Sequence, residues 1–392
     1  GSPAQPACPF RRRTAPAVTI ACLSTNATNS FALAAAPTLL HVATVDGLAT
    51  LARDEAGSWA LAGRSLEGNH ISALYFDAAT GTLLATRIPG GVLRSSDGGR
   101  TWQDSSPQVS ESSTYSLRGF AQNGKTVLYL GTEPVGLYRS EDGGASWTDL
   151  AAVRTAPMHE RWQFPSPDHD PHLKTLTIDP RDGAVIYAGV EQGALLKSTD
   201  GGQSWRDLDQ FVDYNHFVYK DIHQVTLRPG NPDEVVITTG LGIFRSADAG
   251  ETWTQLTDSS FRIGYPDQLV YAPDDARRMF VSGGFATPNF WVEQKTAKGT
   301  VMISEDGGES WRAPASGFPE SRANVEALTV CAWQGGYEIF AGTTEGEVFV
   351  SSDKGESWTR IAAGLPAIGK PTHDTLIVGM GYGSPEEALP VG

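Results

Sequence analysis

Short apolar runs alternate with turns rich in Asp and Gly along almost the whole chain, and the spacing leaves little room for helix. "GVLRS", "GLYRS", "ALLKS", "GIFRS" and "EVFVS" each lead into a near-identical stretch: "SSDGGRTW" from Ser95, "SEDGGASW" from Ser140, "STDGGQSW" from Ser198, "SADAGETW" from Ser246, "SEDGGESW" from Ser304 and "SSDKGESW" from Ser351. The shared form is Ser-x-Asp-x-Gly-x-x-Trp, with another strand after the Trp. Strand, Asp/Gly turn and strand make a hairpin: the Asp accepts turn N–H groups, Gly supplies positive φ, and Trp covers a packing face. A worn seventh copy, "ARDEAGSW" at 52–59, keeps Asp54 and Trp59 in register.

The Trp-to-Trp steps are 43, 45, 58, 48, 58 and 47 residues. A second apolar strand recurs between boxes, centred on Leu74, Leu117, Leu176, Val225, Leu269, Leu328 and Leu376. From each of these anchors to the next box Trp the distance is 28 to 30 residues, apart from one case of 42. Four short strands fit each step, so the pattern predicts an all-β chain: a seven-bladed β-propeller of four-stranded antiparallel blades with Asp-box turns. It assigns 1–16 to an N-terminal arm that opens on an expression scar, 17–380 to the propeller and 381–392 to a tail. Either the strand around Leu33 or the one at Leu376 is expected to supply the innermost strand of the first blade.

These boxes resemble the Asp-box (BNR) repeat family of the sialidase-like superfamily, whose propellers include sialidases, xyloglucan-type glucanases, sortilin-like receptors and a photosystem assembly factor. The resemblance covers nearly the whole chain. It implies the fold, and it implies that the boxes lie on the face opposite the usual ligand site. The boxes therefore build the wheel and leave the chemistry to other residues.

Composition narrows the partners. The formal net charge is −15, and the only compact basic run is Arg11-Arg12-Arg13. Nucleic acid and anionic membranes are therefore not expected, and no apolar stretch reaches the roughly 20 residues of a spanning helix. Cys8, Cys22 and Cys331 are too few for a disulfide framework and point to a reducing, cytoplasmic compartment, with secretion open if a signal peptide has been removed. A closed ring leaves few edges for pairing and points to a monomer.

The polar chemistry concentrates between each box Trp and the following anchor, where the chain returns to the channel mouth. Seven of the eight histidines fall there, His41 being the exception, although Ser, Thr and Gly show no such confinement. Positions two and four before an anchor share its face. Two before stand Ser72, Tyr115, Lys174, His223, Asp267, Glu326 and Asp374. Four before stand His70, Ser113, His172, Asp221, Tyr265, Asn324 and Thr372. Two adjacent blades carry Asp-x-His, as Asp170/His172 and Asp221/His223, a pattern that suits a metal site or a carboxylate orienting an imidazole. An insertion at 283–299 adds Phe285, Phe290 and Trp291 to the mouth.

The leading expectation is a hydrolase at the channel mouth, acting with a divalent metal ion on a small ester, lactone or related substrate. His172, His223, Asp170 and Asp374 would hold the metal, and Asp267 or Glu326 would serve as base. Lys174 and Tyr115 would stabilise an oxyanion, with Asp221 completing the catalytic group. His70, His169, His216, Trp162, Tyr265, Trp291 and Arg87 would line the substrate or carbohydrate site. The "RIP" at Arg87 follows "TLLAT" in a second-to-third-strand loop instead of opening an innermost strand, so its likeness to the sialidase motif is a coincidence. Two alternatives stand beside this reading: a metal-free glycoside hydrolase with paired carboxylates, and a non-catalytic binding or assembly propeller.

Overall fold

Seven hairpin-linked sheets follow one another along the chain in a computed structural model that describes residues 18–105, 113–162, 164–165, 168–208, 220–318 and 322–370. Blade 2 is typical: His70–Asp77, Thr82–Ile88, Val92–Ser95 and Gln103–Asp104 run antiparallel from the axis outwards. Blades 3, 4, 5 and 7 repeat it, with innermost strands Ser113–Gln122, Leu173–Ile178, Ile222–Arg228 and Val325–Trp333. Blade 6, opening with Tyr265–Ala272, has three strands and a single bridge from Ile303 to Arg312 in place of the fourth. The innermost strands touch in ring order, and the wheel is the expected seven-bladed β-propeller.

Burial follows position in the blade. Tyr265–Ala272 is buried at every residue because neighbouring blades cover both faces, so its burial shows no alternation and even Asp267 and Gln268 are enclosed. The outermost Trp59–Ser65 is exposed along its centre.

Ring closure differs from both expected solutions. The axial strand of blade 1 is Ile20–Leu23, which pairs in parallel with Leu39–Thr44. Ser30–Ala32, just before Leu33, instead adds a parallel fifth strand inside blade 7. Leu376 lies outside the described residues.

Between these two strands the chain crosses the channel. Ser24 Oγ accepts from Leu74 N–H of blade 2 at 3.2 Å. Leu117 of blade 3 donates to Asn26 O and accepts from Thr28 N–H, and Thr28 Oγ1 accepts from Gly119 N–H at 3.0 Å. Asn29 Nδ2 donates to Gln268 Oε1 of blade 6 at 3.0 Å, and its carbonyl accepts from Val330 N–H of blade 7. Backbone groups on the axial edge of a propeller have no next strand, so a polar segment in the channel satisfies them where water otherwise would.

The six clean boxes share one core of hydrogen bonds from the Ser hydroxyl, the Gly N–H and the residue before the Trp. In the first, Ser95 Oγ donates to Asp97 Oδ1 at 2.8 Å and accepts from Gly99 N–H at 2.9 Å. Asp97 also accepts from the N–H groups of Arg100 and Thr101 and from Thr101 Oγ1. That hydroxyl just before the Trp recurs at Ser146, Ser204, Thr252, Ser310 and Ser357, a fifth element of the motif beside Ser, Asp, Gly and Trp. The worn copy retains only Ser58 N–H to Asp54 Oδ1.

Hydroxyl and N–H donors hold the Asp200, Asp248 and Asp306 carboxyls down to about 2. The folded value lies below the unfolded one near 3.9, so each box contributes stability above about pH 4 that disappears as pH falls through about 2. Urea midpoints recorded from pH 5 to pH 2 should fall steeply across that window, and Asp200→Asn should flatten the slope. An unchanged profile in the variant would remove the boxes from the acid transition.

Candidate functional site

All six described repeat blades (2 to 7) carry a register irregularity at the same point of the innermost strand. Pairing skips Ser72, Tyr115, Lys174, His223, the Asp267–Gln268 pair and Glu326. These are the positions two before each anchor. A bulge leaves its residue unpaired and re-aims the side chain, and here the repeat gathers one buried polar side chain from each blade.

Three connected groups result. In the first, Tyr115 stacks on His172 with ring centroids 3.8 Å apart. His172 Nε2 meets Glu191 Oε2 at 2.5 Å, and Lys174 Nζ donates to Glu191 Oε1. In the second, Tyr265 Oη donates to Asp221 Oδ2 at 3.0 Å. His223 Nε2 stands 3.2 Å from the same oxygen, while its Nδ1 donates to Pro266 O at 2.6 Å. In the third, Asn324 Nδ2 bridges Asp267 Oδ2 and Glu326 Oε1 at 2.9 and 3.0 Å. Lys370 gives its Nζ to Asp267 at 2.5 Å and its backbone N–H to Glu326 at 2.7 Å. None of these residues is more than 7% exposed.

The electrostatics follow from that burial. Desolvation opposes ionisation of Glu191, but the Lys174 ammonium and His172 outweigh it and hold the carboxyl well below its ordinary range. Burial likewise opposes ionisation of Asp221, and His223 reverses the balance when its ring is protonated. Lys174 is pushed down by burial against the pull of Glu191. Burial also works against the Lys370 cation, yet Asp267 and Glu326 drive its value up. His70 falls to about 4 through burial and is neutral at pH 7, with the Gly369 carbonyl and Glu326 opposing the shift.

The structure therefore brings together Tyr115, His172, Lys174, Asp221, His223, Tyr265, Asp267 and Glu326. Other candidates sit elsewhere. Asp170 is exposed while His172, two residues on, is wholly buried. Trp291 lies in a short helix, Pro288–Gln294, that the inserted loop forms; it is 1% exposed, packs edge-on against Tyr265 and donates to Phe285 O. It supports the site from behind, and Phe285 is the exposed member of that insertion. Trp162 is half-buried against His159 and the Gly193 turn. Arg87 is drawn sideways to Gly90 O and Asp104 of its own blade. His216, Asp374 and the side chain of His169 lie outside the described residues.

Two members were missed in the sequence. Glu191 occupies the turn after the second strand of blade 4, and Lys370 lies in the last Trp-to-anchor segment. Both stretches face the mouth. The available signal was a lone charge in "VEQG", and "EPVG" of blade 3 places Glu133 Oε2 4.0 Å from His172 Nδ1.

Comparison with known proteins places this geometry. The family model described as photosynthesis system II assembly factor YCF48 matches residues 52–366. An oligoxyloglucan-reducing end-specific xyloglucanase of Emericella nidulans is 24% identical over 160 residues, 39% of this chain and 19% of that enzyme. Xyloglucanase Xgh74A of Acetivibrio thermocellus is 32% identical over 98 residues, 20% of this chain and 12% of that enzyme. The aligned stretches thus span no more than about a fifth of these curated relatives. Among solved structures, the GH74 enzyme of Niastella koreensis aligns with TM-score 0.54 at 15% identity, over 86% of this chain and 55% of that one. YCF48 from Cyanidioschyzon merolae aligns with TM-score 0.52 at 15% identity, over 74% of this chain and 84% of that one. These structures share the propeller fold. Since the family model spans the repeat strands of blades 2 to 7 and the outermost strand of blade 1, about four-fifths of the chain, the chain belongs to the photosynthesis system II assembly factor YCF48 family of Asp-box propellers.

Proposed function

We propose that this chain is a non-catalytic binding propeller that holds an extended polypeptide at the channel mouth during assembly of a larger complex. The observation that carries this reading is the mutual pairing of the axial charges. A glycosidase needs one carboxyl held protonated near neutral pH to serve as general acid. Glu191 and Asp221 are instead displaced downwards, and Asp267 and Glu326 accept from Lys370 and Asn324. The family description, an assembly factor, agrees with a binding role. None of the relatives above is described as an ester or lactone hydrolase, so the metal-assisted hydrolase reading draws no support from them.

Glycoside hydrolysis is the second reading, favoured by the sequence likeness to xyloglucanases. One pair of assays separates the two. Synthetic peptides from photosystem II subunits, the first probes the family name suggests, should bind the purified protein, and Phe285→Ala should weaken binding at least fivefold. Xyloglucan oligosaccharides should release no reducing ends above a blank. Release that disappears in Asp267→Asn would overturn the proposal in favour of the glycosidase, and absence of binding to any peptide would remove its support.

A further inference from the structure

We infer that Glu191, Asp221 and His223 form a divalent-cation site, of the mixed nitrogen and oxygen type that takes Zn²⁺ or Co²⁺, on the channel side of blades 4 and 5. Candidate ligand atoms of the three residues lie within 4.8 Å of one another. Bonds of about 2.1 Å in a tetrahedral site put ligands about 3.4 Å apart, so side-chain adjustments of about 1.4 Å or less close the set.

Two further observations point to a ligand. His223 Nδ1–H is spent on the Pro266 carbonyl at 2.6 Å. That bond selects the tautomer whose Nε2 carries a lone pair, the arrangement by which a backbone carbonyl orients a metal-binding imidazole. Nε2 then faces Asp221 Oδ2 at 3.2 Å, lone pair to lone pair, and makes no hydrogen bond there. Asp221 Oδ1 is also buried without a hydrogen-bond partner. Both residues are more than nine-tenths buried, and a cation between them gives both unpartnered atoms, His223 Nε2 and Asp221 Oδ1, a partner at once.

Charge balance agrees. The four axial carboxylates, Glu191, Asp221, Asp267 and Glu326, face two ammonium groups, Lys174 and Lys370, among the described residues. The remainder is two negative charges when His172 and His223 are neutral. One divalent ion offsets it, as would protonation of both imidazoles. The ion would join the turn of blade 4 to the first strand of blade 5, a role independent of the function proposed above.

The test uses the full chain, purified with chelator, dialysed into metal-free buffer and titrated with Zn²⁺ alone and Co²⁺ alone. About one equivalent should bind, raise the unfolding temperature and, for Co²⁺, give a visible absorption band. Asp221→Asn, which keeps the Tyr265 hydrogen bond, should lower the affinity at least tenfold, since even an outer-shell change costs 10–100-fold. His159→Ala, at an exposed imidazole, should leave it unchanged. Should the buried variant fail to fold, the ¹⁵N resonance of His223 Nε2 in wild-type protein still decides, because Zn²⁺ must shift it. No stoichiometric binding, wild-type affinity in Asp221→Asn, or a His223 resonance that reports a protonated ring unmoved by Zn²⁺ would each overturn the site.

Discussion

Replacing Lys174 by alanine is expected to destabilise the fold by about 3–5 kcal/mol, because it strands a buried carboxylate. Lys174 is 1% exposed and Glu191 2%, so neither is screened by water. Without the ammonium, Glu191 keeps His172 and faces Asp221 across the bridge between their backbones. Its charge must then be neutralised by taking up a proton or by admitting water. The net worth of the intact pair is much smaller than the cost of breaking it, since desolvation offsets most of the attraction. The double variant Lys174→Met with Glu191→Gln should therefore recover more than half of the loss, the amide still reaching His172. Urea unfolding followed by circular dichroism measures both quantities. A single-variant cost below about 1 kcal/mol would mean that the pair behaves as a surface ion pair.

An effect of similar or larger size is expected from Ser24→Ala, Thr28→Val and Asn29→Ala combined. Thr28→Val keeps the side-chain shape, Ser24→Ala removes one oxygen, and Asn29→Ala removes a buried carboxamide. They leave Leu74 N–H, Gly119 N–H and the Gln268 amide oxygen without the partners they now have. Each orphaned buried group costs about 1–3 kcal/mol, which places the sum on the order of 3–9 kcal/mol if the sites act independently. A typical domain has about 5–15 kcal/mol in total, so the triple variant should unfold near ambient temperature. Thermal unfolding of the three single variants and the triple gives the comparison. A total loss under about 2 kcal/mol would show that water entering the channel replaces the side chains, and that ring closure rests on the backbone pairing of Ile20–Leu23 and Ser30–Ala32 alone.

The two predictions meet on one structural fact. The channel is filled from below by a polar segment and closed above it by paired charges, so its centre is neither an open pore nor an apolar core. That arrangement ties blades that are remote in sequence: Asn29 to Gln268, and Lys370 to Asp267 and Glu326. Polar cross-ties of this kind give a propeller a unique closure, because an apolar axis would tolerate small rotations of one blade against the next.

Blade number, strand order, the Asp-box turns and the positions that reach the axis were legible in the sequence because each depends on local chemistry. A Ser, an Asp, a Gly and a Trp at fixed spacing close the same hairpin wherever they occur, and the bulge two residues before each anchor repeats with the blade. What the sequence left open depends on groups brought together from far apart. Nothing local marks Glu191 in its turn or Lys370 near the end of the last linker as partners of Lys174 and Asp267; only the ring places them on one axis. The same is true of Ser30–Ala32, whose pairing with blade 7 exists only after the wheel has closed. Asp170 and His172 follow the same two-residue pattern as Asp221 and His223, yet the structure leaves Asp170 exposed, because the innermost strand of blade 4 begins later, at Leu173. Local hydrogen-bonding geometry therefore decided the frame, and the pairing of buried charges was settled by tertiary contact, where desolvation makes an unpaired group too costly to leave.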